Sequence, residues 1–315
     1  MENRPQVHEY SIDGSSILPI LRTCLPSALP LYRRIQSPRR TAESHIFATL
    51  SLEQLVTEVL CCFVVAFIDR SLRPETELFL YVSSHGTQHD IDCSQCRTAI
   101  STILLKAASL PVTSKLASSN APSKYGAHLP NPRLLLAGAI EEQPARIIDS
   151  LNVLDPSLPG MNTPYAKYIF REEKLPSTSR PALSEGLTWG HMSKREDIAL
   201  VISRTEIPRQ IDTLAADFSV GVFDGANQPV SWGFFSADGS ISSLHVEEPY
   251  RRRGIAKLVA TEVARASMGE DGFGHADIGI DNVGSRRVCE GIGGKGESRV
   301  YWLRIDLDKV VQRHV

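Results

Sequence analysis

The sequence predicts a two-domain α/β protein of the α+β kind, with a mixed central sheet in its C-terminal half. Three observations carry that expectation. At 315 residues the chain exceeds one ordinary domain and suits two of roughly 130–180 residues each. Residues 219–307 read as β-β-β-loop-α-β-α-β, and residues 63–84 read as a hairpin between helical segments. Between these regions KLPSTSRPALSEG (174–186) is rich in Ser and Pro and poor in apolar residues. The division is therefore placed as 1–175, a linker at 176–186, and 187–315.

Residues 15–35 carry apolar positions at helical spacing, with Pro26 and Pro30 marking a break between two short helices. FVVAFIDRSLRPETELFLYVSS (63–84) holds two β-rich runs around a polar turn containing Pro74, which predicts a hairpin with a strand buried on both faces. Residues 97–117 are helix-like and pass into a Ser/Ala/Pro-rich tail, expected as a loop to about 132. In the C-terminal half, SVGVFDGANQPVSWGFFSADGSISSLHV (219–246) shows strand runs separated by DGANQP and ADGS, both turn sequences. A helix from about 255 to 267, the strand HADIGID (275–281), a short helix from Ser285 to about Gly291 and the strand VYWLRIDL (300–307) follow. No repeat at a fixed period is present, although a distant duplication of strand-hairpin-helix material is compatible with both halves.

Hydrophobic residues at 42% and charged residues at 22% exclude wholesale disorder. The 34 Lys+Arg and 36 Asp+Glu leave a formal net charge of −2, so no global field draws in nucleic acid or anionic lipid. The longest apolar run, VLCCFVVAFI (59–68), falls short of the roughly 20 residues of a membrane-spanning helix, and MENRPQVHEY lacks the apolar core of a secretory signal. A soluble cytoplasmic protein with neither nucleic-acid nor membrane partners is expected. Six cysteines in a chain this long are expected to be thiols. His85, His89, Cys93 and Cys96 form H-x3-H-x3-C-x2-C, which could converge on one helix face and bind zinc. A lone C-x2-C without a second pair is a weak signal and the plain reading is a polar helix after a strand, so no metal is assigned.

The stretch HVEEPYRRRGIAKLVATEV (245–263) concentrates positive charge and small residues where a strand gives way to a helix. A helix N-terminus exposes N–H groups with no intrahelical partner and about half a positive charge, which suits an anion. Gly254 and Ala256 would let phosphate oxygens approach the backbone, with Arg251, Arg252 and Arg253 adding charge around them. A solvated basic turn capping an ordinary helix is the alternative.

Taken with the strand order, this junction resembles the acyl-CoA site of the GNAT acyltransferase superfamily. The pattern Arg/Gln-x-x-Gly-x-Gly/Ala is here Arg251-Arg252-Arg253-Gly254-Ile255-Ala256. DNVGSRRVCEGIGG (281–294) resembles the family's Asn-x-x-Ser/Ala segment, and WGFFSADGSISSLHVEEPYRRRGIAKLV looks most like the glycine N-acyltransferase branch. The likeness covers about 120 residues well and reaches the N-terminal half weakly, as a degenerate GNAT-like half with an acceptor-pocket or structural role. It implies a splayed central sheet with acetyl-CoA or another acyl-CoA as co-substrate. The thioester arm would bond strand backbone near His245 and Val246, the pyrophosphate the N–H groups of Arg252 to Ala256, and Asn282 and Ser285 the pantetheine or adenosine side.

The implied reaction is acyl transfer to the amine of a small molecule or amino acid. It needs a neutral amine, a stabilised oxyanion and a proton for the leaving thiolate. The family's acidic base falls at Ser240, leaving His245 and Asp238 as candidates. Cys289 stands where relatives carry a proton-donating tyrosine, Gly294 stands where an aromatic is usual, and Tyr301 is a second possible donor. Two readings stay open: an active N-acyltransferase, or a GNAT-fold module that binds CoA or a partner with weak catalysis. CoA release over an amine panel separates them.

Overall fold

The computed structural model describes residues 5–51, 62–83, 93–112, 124–177 and 182–313. They form two compact units, one of residues 1–164 with 299–315 and one of residues 165–298. Segment 176–186 thus lies inside the second unit's sequence range. The fold is mixed α+β.

In the first unit, β1 (His8–Tyr10), β2 (Ser44–Ala48), β3 (Val64–Asp69), β4 (Leu78–Val82) and β5 (Leu134–Glu141) lie in that order, followed by β12 (Lys295–Asp306). β4 meets β5 in parallel and the other joints are antiparallel. The two helices expected within 15–35 are α1 (Leu18–Thr23) and α2 (Leu29–Gln36), with Pro30 near the start of the second, where a missing N–H costs nothing. β3 is buried throughout. Val65 and Phe67 join the cluster that also holds Leu21 and Ile35, whereas Val64, Ala66 and Ile68 join the cluster on α3 (Ser94–Ser109). Alternation with both faces apolar is what the hairpin sequence predicts.

Beyond those elements, the structure adds α4 (Glu142–Ser150), packed on the same side as α3, and α9 (Leu307–Gln312). From the first unit's side of β12, Val300, Leu303 and Ile305 are wholly buried and pair along β5. Truncation after residue 175 therefore removes a core strand. Burying side chains of this size contributes about 1.5–3 kcal/mol each, against a total of about 5–15 kcal/mol for an ordinary domain. A 1–175 fragment is expected to show no cooperative melt by circular dichroism; a sharp transition like that of the full chain would contradict this.

In the second unit, β7 (Thr188–Gly190), β8 (Phe218–Phe223), β9 (Pro229–Phe235) and β10 (Ile241–Val246) form an antiparallel meander. Its turns fall at the DGANQP and ADGS segments. β6 (Tyr165–Arg171) pairs antiparallel with β11 (Phe273–Gly279). One face carries α7 (Ile255–Ser267) and α8 (Val283–Gly291), and the cluster there includes Val259, Val263, Ala276 and Cys289. The other carries α5 (Arg195–Ser203) and α6 (Ile211–Ala216) over Trp232 and Phe234. Among the described residues no helix is long and apolar enough to cross a membrane.

Candidate active site

β10 and β11 meet at one parallel bridge, Ser240 to His275, and pair no further. Past that bridge the β11-facing edge of β10 has no strand partner among the described residues, so a gap opens between two strands. β10 is also irregular: its register with β9 shifts between Ser242 and His245, and Ser243 sits at φ 51°. A non-glycine residue in that region costs roughly 1–2 kcal/mol, and such strain collects at functional sites.

Past β10, the chain turns through Glu248–Tyr250 into the arginine junction and α7. Arg252 stands at φ 63° and Gly254 at φ 80°, ψ −7°, as the helix N-cap. The left-handed conformation is the physical reason for glycine at 254. Among the described residues, the backbone N–H groups of Arg252, Arg253, Gly254, Ile255 and Ala256 have no acceptor, whereas Arg251 N–H is bonded to Glu248 and Lys257 N–H to Gly254. Left-handed residues at 252 and 254 just before a helix can turn such groups toward one anion.

The arginines divide their work. Arg251 Nε donates to the Val246 carbonyl at 3.0 Å, and Arg253 Nη2 to the Pro249 carbonyl at 2.9 Å while lying over the Tyr250 ring. Arg251 is thus a brace on the exit of β10 as well as a charge, and the Val246 carbonyl already has a donor. Arg251→Ala is expected to weaken CoA binding about fivefold, roughly 1 kcal/mol, and the loss should persist at high salt, which screened charge alone would not. Titration calorimetry at two salt concentrations checks this; a loss abolished by salt would reduce Arg251 to its charge.

His245 stacks on Trp232 with ring centroids 4.7 Å apart, while Leu244 packs with the α7 cluster, so the two occupy opposite faces as strand alternation predicts. Burial pushes the His245 imidazole below its ordinary value. Glu247, 3.7 Å from Nε2, works the other way, and Arg251 and Arg204 add to the depression. Arg204 holds Glu247 at 3.0 Å, and Ser231 Oγ donates to the His245 carbonyl at 2.8 Å. His245 Nε2 is buried with no hydrogen-bond partner.

Asp238 is differently placed. Its carboxylate accepts from the Ser240 N–H and hydroxyl, at 3.2 and 2.8 Å, which makes it a turn group. Its carbonyl meets His275 Nε2 at 2.9 Å. Cys289 lies in the apolar cluster under α7, where burial pushes its thiol up to about 12. A thiol so placed is a core side chain. At Gly294 an added Cβ would stand 2.6 Å from the Phe170 ring, so an aromatic from β6 fills the space an aromatic at 294 would take. Tyr301 is buried in the core of the first unit. Asn282 Oδ1 accepts from Ser285 N–H at 3.0 Å and so caps α8; Asn282 is exposed and Ser285 half-buried. His85 and His89 lie outside the described residues.

The sequence reading missed a group on β11. His275 is wholly buried and its Nδ1 lies 3.6 Å from Asp277. Burial would push its imidazole down, but Asp277 and Asp238 together outweigh this and hold it up. The Ser240–His275 bridge brings Asp277 level with Ser242. Ser242 Oγ, His245 Nε2, His275 Nδ1 and both Asp277 carboxylate oxygens are all buried without hydrogen-bond partners. Unpaired buried polar atoms are costly and rare, and these lie on β10 and β11, the two strands that flank the gap. The i, i+2 spacing of His275 and Asp277 was visible, but not their burial.

Residues 4–168 match the family described as the acyl-CoA N-acyltransferase verG N-terminal domain, and residues 219–303 match the family described as FR47-like protein. The chain belongs to the GNAT superfamily of acyltransferases. Solved structures with a similar fold include a Drosophila protein (TM-score 0.65, 13% identity, covering 95% of this chain and 98% of that one). A tandem GNAT protein from the clavulanic acid biosynthesis pathway aligns with TM-score 0.53 and 8% identity over 96% of this chain and 98% of its own. A GCN5-related N-acetyltransferase from Sphaerobacter thermophilus aligns with TM-score 0.51 and 13% identity over 98% and 97%. No curated protein matches the sequence significantly. In this GNAT protein the strand gap and the N–H cradle adjoin through β10, and GNAT proteins in general use an acyl-CoA co-substrate.

Proposed function

We propose that this GNAT protein transfers an acyl group from acyl-CoA to the amine of a small molecule or amino acid. The observation that carries the reading is the coincidence of partnerless N–H groups at 252–256, just past β10, with partnerless buried polar atoms of Ser242 and His245 on β10 and of Asp277 on β11. Donors without acceptors suit the cofactor's pyrophosphate, and acceptors without donors suit an ammonium.

His245 is the proposed base. Its depressed basicity leaves Nε2 neutral near pH 7, able to take a proton from the acceptor's ammonium. The amine nitrogen then bonds to the thioester carbonyl carbon as the carbon–sulfur bond breaks, and the sulfur leaves as a thiolate that takes up the proton the nitrogen loses on becoming an amide. The Asp277 carboxylate, with both oxygens free of hydrogen bonds, is proposed to hold the ammonium beforehand. An amino-acid acceptor is what the glycine N-acyltransferase likeness implies.

The test is CoA release from acetyl-CoA and longer acyl-CoAs over a panel of amines and amino acids, with products identified by mass spectrometry. Acylated amine is expected. CoA binding without turnover on any acceptor would replace this reading with that of a CoA-binding module, in keeping with the serine at 240.

A further inference from the structure

Outside the acyltransferase site, a cluster of cysteines in the first unit is left unexplained by that chemistry. Cys62 lies just before β3, Cys93 is the N-cap of α3 and Cys96 lies in its first turn. Their three Sγ atoms all lie within 4.8 Å of one another, and those of Cys62 and Cys93 are 3.5 Å apart. None of the described cysteines forms a disulfide.

The spacing is informative. Sulfurs bound tetrahedrally to one Zn2+ at about 2.3 Å stand roughly 3.8 Å from each other. The 3.5 Å pair and the 4.8 Å bound on all three are compatible with that value. A disulfide would draw together only one pair, to about 2.05 Å, and leave the third sulfur with no part.

The local structure also suits a thiolate at Cys93, while burial works against one at Cys96. The Cys96 N–H donates to Cys93 Sγ at 3.4 Å, as the first turn of a helix does for an anionic cap. Among the described residues, Cys96 Sγ also donates to the Ser83 carbonyl at 3.9 Å. Cys62 and Cys93 are half-buried, so an ion can arrive from solvent, while Cys96 at 1% exposure forms the floor.

We propose that Cys62, Cys93 and Cys96 bind one Zn2+ ion as three thiolates, clipping the start of β3 to the N-terminus of α3. Binding exchanges three S–H protons for three Zn–S bonds, with no oxidation. One position of the tetrahedron is left for a fourth ligand. The set differs from the His85, His89, Cys93 and Cys96 grouping suggested by spacing alone, because the fold supplies Cys62 from the residues just before β3.

The test uses the full-length protein, reduced and stripped of metal by a chelator, then titrated with Cd2+ as a spectroscopic probe and with Zn2+ in competition. Thiolate-to-cadmium charge-transfer absorption saturating at one equivalent, and reversed by Zn2+, is expected. Cys93→Ser should lose at least tenfold in metal affinity while keeping its helix cap, since serine caps well. Cys62→Ser should do the same, and Cys289→Ser, a core cysteine of the other unit, should not. Absence of the band in folded wild type, or its survival in both Cys62→Ser and Cys93→Ser, would overturn the proposal. So would a protein two mass units lighter in air, restored by reductant and indifferent to metal, which would indicate a disulfide.

Discussion

Replacing Gly254 with valine is expected to weaken CoA binding by about a hundredfold or more, the worth of two charge-assisted hydrogen bonds at about 1.5–3 kcal/mol each. Gly254 holds φ 80°, a conformation that β-branched residues resist, and it is the N-cap of α7. A Cβ at this position would meet no protein atom within 4 Å, so the obstruction is to the ligand and the strain is in the backbone. Gly254→Ala separates these effects, since alanine carries most of the conformational strain and little of the bulk. Titration calorimetry of CoA into wild type and both variants, with thermal melts alongside, should give the order wild type, alanine, valine. Unchanged affinity in a folded Gly254→Val protein would remove the pyrophosphate from this junction and most of the functional reading with it.

The second large effect is expected from His245→Ala, with turnover reduced about 10²–10⁴-fold and CoA affinity changed only a few-fold, because a base acts on the amine and not on the phosphates. The pH profile carries a separate signature. Burial depresses the imidazole, so the acid limb of kcat/KM should fall below the ordinary value of about 6.5 and be absent from the residual rate of the variant. Stability follows the same sign. Between the depressed folded value and about 6.5 the unfolded chain binds the proton better, so the His245 contribution is lost as pH falls through that window. His275 runs the other way: its raised value adds stability below about 6.5 that is lost as pH rises through the folded value. Full activity of His245→Ala across the pH range would transfer the base to Asp277.

By itself, the sequence determined the elements whose signals are local. The turns at 224–229 and 237–240, the β3–β4 hairpin, α7 and the glycine that opens it were legible because turn residues and apolar period act over a few positions. The N–H cradle was legible for the same reason, since helix geometry alone strips the first turn of partners. Strands β5 and β6 went unassigned, and the part of β12 before Val300 was missed, because pairing with distant segments decides them. Only the tertiary structure decided which side chains share a site. It sealed Cys289 in a core and engaged Arg251 with Val246. Asp277 was brought level with Ser242, and Cys62 came within reach of Cys93 across 31 positions of sequence. Burial and proximity of residues far apart in the chain are properties of packing, and a one-dimensional pattern carries them only where the separation is short enough for the backbone to fix the geometry.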